Sequence, residues 1–305
     1  MTARPIILDV DTGVDDALAI AYAVRSPELN LVGLTTTFGN ITVEEAARNS
    51  LIVLEKLGSD APVVAGAAQP LVRAKTEYPR HIHGEHGLGA ATWTEPRRRA
   101  APGHAADFMI EQARRHEGRL TLICVGPLTN LATAVRRDPS FVGAVDRVIL
   151  MGGAVRTPGN VTRYAEANIY SDPEAADLVF RSGLPLTVVG LDVTMKTLLP
   201  RDRVREWRRK AGELGAFLAD MTEFYIDFYE ADYPGIGGCA LHDPLAVGVA
   251  IDPGFVNAEP LRIAVDTCGE TLGRTAERGD GEPNASVCLG VDGERFLQHF
   301  LSRVP

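Results

Sequence analysis

Four aspartates lie within eight residues near the start of the chain, in the sequence Asp9-Val-Asp11-Thr-Gly-Val-Asp15-Asp16. They directly follow an apolar run, residues 5–8, that is typical of a buried strand. Carboxylates this close repel one another and lose hydration, so such a cluster usually persists because a cation offsets its charge. Carboxylate oxygens suit Ca²⁺ or Mg²⁺ rather than Zn²⁺. The cluster therefore predicts a divalent-cation site.

A simpler interpretation divides the cluster. Asp15 or Asp16 would cap the helix that follows, which is worth about 1 kcal/mol, and the other aspartates would be exposed turn residues. Capping explains one aspartate and not four. An EF-hand loop does not fit either, because Gly13 comes one place early and Ile20 stands where the bidentate glutamate belongs.

Strand-like and helical patterns alternate along the first two-thirds of the chain, which favours a mostly parallel sheet with helices on both faces. The strand-like runs are residues 5–10, 31–37, 62–65, 120–125, 147–151 and 186–191. The helical patterns are residues 15–25, 43–57, 104–116, 128–137 and 173–181. We expect an α/β fold with a Rossmann-like core and a mainly helical C-terminal addition, in a single domain that spans residues 1–305.

The last third of the chain changes character. Residues 201–229 have a helical pattern that breaks near residues 212–215, and further helices are predicted at 242–250 and 292–301. Two more strands are predicted at 261–265 and 285–289. The long stretch 67–102 reads as a loop, and a loop of that length in a compact domain is usually functional or mobile.

Polar residues follow the predicted strands, at the edge where ligands bind to parallel sheets. They include Asn40, Asn160, Glu166 and Asn168, and His83 lies in the long loop. Amide and carboxylate side chains suit a polyhydroxylated ligand, because each hydroxyl both donates and accepts hydrogen bonds. Any one of these residues is common in loops, but together they indicate a sugar site.

The residues so far give the chain a pattern that resembles the nucleoside hydrolase family, the inosine–uridine-preferring N-ribohydrolases. The family's signature, Asp-x-Asp-x-Gly-x-Asp-Asp, matches residues 9–16, and the resemblance covers essentially the full length. The other matching segments are residues 39–40, 83–85, 126–130, 151–153, 160, 166–168, 172–176, 190–192 and 242–244. The resemblance implies an enzyme that hydrolyses the N-glycosidic bond of ribonucleosides to free base and ribose.

The resemblance also implies a tightly bound Ca²⁺ and a ribose site. The calcium ligands would be Asp11, Asp16, the backbone carbonyl of Val125, and Asp243. The ion would orient a water molecule and lower its pKa, and Asp11 would take the proton as general base. The residues that would contact ribose are Asp15, Asn40, Met151, Asn160, Glu166 and Asn168.

The resemblance implies that His242 is the acid that assists departure of the base. It also implies that His83 lies near the base. Tyr225 and Tyr229 share a helix face and match aromatic positions that lie over the base, although the same spacing fits a buried aromatic stripe. Trp93 falls in the long loop and Trp207 in a charged helix, so no tryptophan is placed to stack on a purine. We therefore expect a preference for pyrimidine nucleosides and inosine.

Two positions depart from the family pattern. Thr12 stands where proline is usual, which stiffens the turn less. Ala167 stands where a bulky aromatic residue is common and so removes an apolar contact near the 5′ side of the sugar.

Two alternatives share parts of this pattern. A haloacid-dehalogenase-like phosphatase also begins with a strand and Asp-x-Asp, and it uses Mg²⁺ and an aspartyl nucleophile. A nucleoside- or ribose-binding protein without catalysis would keep the same site. The presence of both Asp11 and His242 favours the enzyme, since a binding protein could replace either.

The composition of the chain disfavours some classes of binding partner and some cellular locations. The net charge is −9, from 40 acidic and 31 basic residues, so nucleic acid is disfavoured. The sequence contains no apolar stretch long enough to span a membrane. Its four cysteines form no CxxC motif and no signal-peptide pattern is recognised, so we expect a cytoplasmic location. The expected partner is a small nucleoside in purine and pyrimidine salvage, and the family implies a homodimer or homotetramer.

Overall fold

A nine-stranded sheet forms the centre of the computed structural model, which describes residues 3–279 and 281–305. The strands are β1 (Arg4–Val10), β2 (Leu29–Thr36), β3 (Val63–Ala65), β4 (Leu120–Cys124), β5 (Val145–Met151), β6 (Leu186–Val189), β7 (Leu198–Pro200), β8 (Gly238–Ala240), β9 (Val256–Val265), β10 (Thr275–Arg278) and β11 (Ala285–Val291). The main sheet has the order β10-β9-β11-β6-β5-β4-β1-β2-β3, and β7 and β8 form a separate antiparallel pair.

Helices cover the main sheet and connect its strands. The α-helices are α1 (Val14–Val24), α2 (Val43–Leu57), α3 (Arg80–His83), α4 (Ala105–Arg115), α5 (Thr129–Arg137), α6 (Ala167–Ser171), α7 (Pro173–Arg181), α8 (Leu191–Thr194), α9 (Arg201–Lys210), α10 (Gly212–Asp232), α11 (His242–Ile251) and α12 (Gly293–Leu301). Among the described helices, none has both the length and the apolar character that a membrane span needs.

Parallel pairing dominates the main sheet. Over the described strands, six of the eight neighbouring pairs are parallel, and only β11–β9 and β9–β10 are antiparallel. The prediction of a mostly parallel α/β sheet is confirmed. Parallel strands place their carboxyl ends at one edge, so the turns after β1, β2, β4 and β5 meet there.

Burial of both sheet faces explains why the strands are apolar throughout. Ile6 and Leu8 of β1 pack into one hydrophobic core, with α1 and α11, whereas Ile7 packs into a second core, with α4 and α5. All three side chains are fully buried. The alternation follows from the two-residue period of a strand, and a strand buried on both sides has no polar face to reveal its period.

Several elements differ from the sequence-based expectation. The predicted helix over residues 201–229 is broken at Ala211, and its second part extends to Asp232. Strand β9 begins at Val256 rather than residue 261, and β10 and the β7–β8 pair were not predicted. The expected C-terminal addition is helical through α11, but β9, β10 and β11 then extend the main sheet.

Candidate active site

The turn between β1 and α1 carries the aspartate cluster at the carboxyl edge of the sheet. Asp16, in the first turn of α1, folds back and accepts hydrogen bonds from the backbone N–H groups of Asp11 (3.0 Å) and Gly13 (2.9 Å). A Cβ at position 13 would lie 2.5 Å from Nδ1 of His83, so the close approach of this side chain requires glycine. The turn is thus closed by a buried carboxylate.

Three of the carboxylates meet in one place. Asp15, Asp16 and Asp243 each present an oxygen, and these oxygens all lie within 4.8 Å of one another. Asp243 comes from the first turn of α11, far along the chain. All three side chains are buried, and Oδ1 of Asp11 and Oδ1 of Asp15 have no hydrogen-bond partner among the described residues. The set consists of oxygen donors, which is the chemistry that Ca²⁺ and Mg²⁺ prefer, so it could hold a metal ion.

Burial makes the ionised forms of these groups costly. It raises the pKa of Asp15 to about 8, and the charge of Asp16 adds to the effect. Burial also raises the pKa of Asp11 and of Asp243 well above the ordinary aspartate value, and neighbouring carboxylates contribute in both cases. A cation would remove most of this penalty.

Two asparagines form hydrogen bonds at this edge of the sheet, Asn40 with the aspartate cluster and Asn168 with backbone carbonyls at the ends of β4 and β5. Asn40, after β2, donates its backbone N–H to Oδ2 of Asp11 (2.7 Å) and its side-chain amide to Oδ2 of Asp16 (3.1 Å). The side-chain amide of Asn168 donates to the carbonyls of Val125 (2.7 Å) and Met151 (3.2 Å). The structure therefore places Asn40, Asn168, Val125 and the aspartates at one edge of the sheet.

Glu166 and Asn160 already have backbone partners. Glu166 is buried at the start of α6, where its carboxylate accepts from the backbone N–H groups of Gly153, Asn168 and Ile169. Asn160 is exposed, and its Oδ1 accepts from the N–H of Ala167 (3.0 Å). Both residues shape the segment that carries Asn168, and their contact with ribose stays a prediction.

Aromatic and imidazole rings line the other side of the cluster. The hydroxyl of Tyr225 lies 3.5 Å from Oδ2 of Asp15, and its ring is 5.3 Å from that of His83. Tyr229 packs on Tyr225 and places its hydroxyl 2.6 Å from Nε2 of His242. The two tyrosines are buried, as an aromatic stripe in the core would be, and they also lie next to the acidic cluster. Their contact with the base stays a prediction.

Burial keeps both site histidines neutral near pH 7. It lowers the pKa of His83 to about 3 and that of His242 to about 4. Nδ1 of His83 accepts the backbone N–H of Val14 (3.2 Å), which leaves its Nε2 to carry the proton. His83 is thereby fixed beside Asp15, with 3.9 Å between its Nδ1 and Oδ1 of the aspartate.

Sequence reasoning assigned no role to Asp192 and Thr194, and it counted Asp9 only as a member of the acidic cluster. Asp9 accepts from the hydroxyl of Thr35 (2.6 Å) and the amide of Asn130 (2.9 Å), and burial raises its pKa to about 7. Asp192 accepts the N–H groups that follow β5, at Val155 and Arg156. Thr194 contacts the imidazole of His242 on the side opposite Tyr229, with 2.7 Å between Oγ1 and Nδ1. Asp9 and Asp192 lie in segments that match the family, whereas no sequence signal marks Thr194.

Comparison with known proteins defines the class first. The family model of the inosine-uridine preferring nucleoside hydrolases matches residues 6–298 of this chain. The purine-preferring ribonucleoside hydrolase from Gardnerella vaginalis superposes with a TM-score of 0.95 at 42% identity, over 98% of each chain. A plant nucleoside hydrolase superposes with a TM-score of 0.94 at 34% identity, again over 98% of each chain.

Curated relatives agree with this class. The chain is 39% identical to uridine nucleosidase 1 of Arabidopsis thaliana over 271 residues, which is 88% of this chain and 80% of the relative. It is 38% identical to the pyrimidine-specific ribonucleoside hydrolase RihB of Escherichia coli (strain SE11), over 97% of this chain and 95% of that protein. The chain belongs to the inosine–uridine-preferring nucleoside hydrolases, enzymes that hydrolyse the N-glycosidic bond of ribonucleosides. This assignment replaces the phosphatase alternative.

Proposed function

We propose that this enzyme requires Ca²⁺ and prefers pyrimidine nucleosides and inosine. The observation that carries the metal requirement is the meeting of Asp15, Asp16 and Asp243 within 4.8 Å, with buried carboxylate oxygens that have no hydrogen-bond partner among the described residues. Several buried carboxylates without a cation would be strongly destabilising in their ionised form.

The residues that would hold the ion are Asp11, Asp16, Asp243 and the carbonyl of Val125. Asp15 lies close enough to contribute a further oxygen. When bound, a divalent cation compensates buried negative charge and makes nearby water more acidic. Calcium is favoured over zinc because the site offers oxygen ligands and no cysteine or histidine belongs to the metal group within the described residues.

Asp11 is the residue we assign as general base. Its Oδ2 is held by the N–H of Asn40, whereas its Oδ1 has no hydrogen-bond partner among the described residues and is free to accept a proton. A bound cation would keep the buried Asp11 carboxylate ionised, which is the form that can accept a proton. A base fixed by one oxygen and free at the other holds its reacting atom in a defined position.

The polar residues around Asp11 would bind and stabilise the ribose. N-glycoside hydrolysis passes through a sugar that carries positive charge, as in other glycoside hydrolysis. Asp15 and Glu166 place negative potential at the site, since Glu166 acts electrostatically on Asp243. Asn40, Asn160 and Asn168 would hold the hydroxyls, and Met151 would line the apolar side.

The rings beside the cluster would assist departure of the base. His242, Tyr229 and Tyr225 form a buried polar wall, and His83 lies next to it. Neither tryptophan contributes to this wall: Trp93 packs on Arg48 and His86, and Trp207 packs on Phe300. The absence of a stacking indole from this wall supports pyrimidines and inosine. Two of the relatives are named for uridine or pyrimidine substrates and the Gardnerella vaginalis enzyme for purine substrates, so the base is decided by a substrate panel.

Release of free ribose from nucleosides tests the proposal. With CaCl₂ present, we expect uridine and inosine to be hydrolysed faster than adenosine, and a chelator should abolish activity that Ca²⁺ then restores. Asp11→Asn should lower kcat by about 10²–10⁴-fold, whereas Asp60→Asn, an exposed turn residue, should have no effect. Absence of ribose from uridine, inosine, cytidine and adenosine alike would reject the proposal.

Assembly and location stay predictions. A homodimer or homotetramer and a place in nucleoside salvage follow from the family resemblance alone, and the cytoplasmic location follows from the cysteine content. Light scattering of the purified chain would measure the oligomeric state directly.

A further inference from the structure

Thr194, His242 and Tyr229 form a hydrogen-bonded line of three side chains. Oγ1 of Thr194 lies 2.7 Å from Nδ1 of His242, and Nε2 of the same imidazole lies 2.6 Å from the hydroxyl of Tyr229. Thr194 is fully buried, and both His242 and Tyr229 are almost fully buried. Both imidazole nitrogens of His242 are therefore engaged, one on each side.

The number of hydrogens in this line is fixed by chemistry. A neutral imidazole contributes one N–H, and the threonine and tyrosine contribute one O–H each, so three hydrogens serve two links. The ring is buried, both of its nitrogens face hydroxyl groups, and no carboxylate pairs with it among the described residues, so the imidazole is counted as neutral. One hydrogen is left over, and it must lie at one end of the line or the other.

The two ends differ in what could accept that hydrogen. At the Thr194 end, Oγ1 has no hydrogen-bond partner other than Nδ1 of His242 anywhere in residues 3–279 and 281–305. A hydrogen left there would be a buried donor without an acceptor, which is unfavourable. At the Tyr229 end, the ring packs against Tyr225, which approaches the acidic cluster, and a nucleobase bound there would offer acceptors.

We propose that Thr194 is a positioning residue that donates to Nδ1 of His242 and thereby fixes its tautomer. The proton of the imidazole then lies on Nε2 and is donated to the oxygen of Tyr229. The hydroxyl hydrogen of Tyr229 is directed away from His242 and is available to the base. The consequence for catalysis rests on the proposed function, but the tautomer does not.

The hydrogen on Tyr229 matters when the glycosidic bond breaks. The departing base gains an electron pair, and a fixed O–H donor stabilises the charge that develops on it. His242 then acts by orienting the Tyr229 hydroxyl, and Thr194 fixes the orientation of His242 through the hydrogen bond to its Nδ1. Each group in the line donates to the next one. Loss of the Thr194 hydroxyl therefore allows Tyr229 to donate to Nε2 of His242 instead of accepting from it.

Nitrogen NMR of the calcium-loaded protein tests the tautomer without reference to activity. The signals of His242 are assigned by their loss in His242→Gln. We expect a protonated Nε2 and an unprotonated Nδ1 in the wild-type protein near pH 7. In Thr194→Val neither tautomer has a partner at Nδ1, so the preference should weaken and both tautomers should be populated, whereas Thr194→Ser should retain the wild-type form. A wild-type imidazole protonated on Nδ1 overturns the proposal, as does an unchanged tautomer in Thr194→Val.

Kinetics test the consequence. Thr194→Val should lower kcat on uridine roughly 10- to 100-fold with little change in KM. A ribosyl substrate with a p-nitrophenolate leaving group should be far less affected, because that group departs without help. Thr194→Ser should restore kcat on uridine. The matched control is Thr133→Val, because the Thr133 hydroxyl donates only to the carbonyl of Thr129 within α5, and it should behave as wild type.

The outcomes separate this proposal from the proposed function. Equal losses on both substrates would reject the positioning role of Thr194. A wild-type protein that releases no ribose from any nucleoside would reject the proposed function, while the NMR result would still decide the tautomer. If Thr194→Val does not fold, the wild-type and Thr194→Ser spectra decide it.

Discussion

Close approach of backbone to a buried carboxylate controls the site at the scale of single residues. Asp11 lies between two glycines that come from different turns of the sheet edge. A Cβ at position 39 would lie 1.9 Å from Oδ2 of Asp11, and one at position 126 would lie 2.8 Å from Oδ1. The two oxygens of the assigned base are thus both confined by glycine backbone, and neither glycine can acquire a side chain without moving Asp11.

Replacement of Gly39 by alanine tests this confinement. The added methyl group would displace the Asp11 carboxylate, so we expect Gly39→Ala to lower kcat at least about tenfold and to weaken the response to Ca²⁺. Gly143→Ala is the matched control, because a Cβ there meets no atom within 4 Å. Equal activity of the two variants would contradict the placement of Asp11.

Some single residues were readable from the sequence and others were not. The four aspartates are neighbours in the chain, and the turn that groups them could be recognised from spacing alone. Thr194 and His242 are 48 residues apart, and Asp9 and Asn130 are 121 apart. Such partners are brought together only by the order of strands in the sheet, which carries no local periodic signal.

Asp172 ties three elements together at the scale of helices and loops. It caps α7 by accepting the N–H of Ala175, and it also accepts the hydroxyl of Thr129 in α5 and the N–H of Leu71 in the long loop. The loop 67–102 contains α3, which presents His83 to the site. Anchoring the start of this loop therefore contributes to the position of a site residue.

Replacement of Asp172 by alanine should cost more than loss of a helix cap. Asp172→Ala removes three hydrogen bonds from a buried position, so we expect a loss of roughly 2–4 kcal/mol in unfolding free energy and faster proteolysis within residues 67–102. Thr42→Ala is the comparison, since Thr42 caps only α2 and should cost about 1 kcal/mol. Urea unfolding and limited proteolysis measure both effects. An Asp172→Ala loss no larger than the Thr42→Ala loss would show that the ties to α5 and the loop contribute nothing.

The pattern of apolar and polar residues predicted most of the buried strands and helices, but it missed short and exposed strands. Buried runs such as β1 and β4 were recognised because they are apolar and bounded by turn residues. The first half of β9 was missed, since residues 256–260 are largely exposed and end in a proline. Strand β10 and the β7–β8 pair are only three or four residues long and take their conformation from their partners.

Buried carboxylates also determine how the whole molecule responds to pH. In the metal-free protein, burial raises the pKa of Asp9 to about 7 and that of Asp15 to about 8, from 3.8. The folded state therefore holds protons that the unfolded chain has lost, and this stabilisation disappears as pH rises through the folded values. His83 and His242 act in the opposite sense, but only below 6.5, the ordinary histidine pKa. The carboxylate effect is thus isolated between about pH 6.5 and pH 8.

Calcium should reverse this trend, because it binds the ionised carboxylates. We expect the melting temperature of the chelated protein to fall between about pH 6.5 and pH 8 and the stabilisation by Ca²⁺ to grow over the same range. At a hundredfold excess over Kd the gain is about 2.7 kcal/mol. Asp16→Asn should reduce the Ca²⁺-dependent shift, whereas Asp60→Asn should keep it. A Ca²⁺ shift of the same size at both pH values would mean that the buried carboxylates are already ionised in the metal-free protein, and the charge balance proposed for the site would then be wrong.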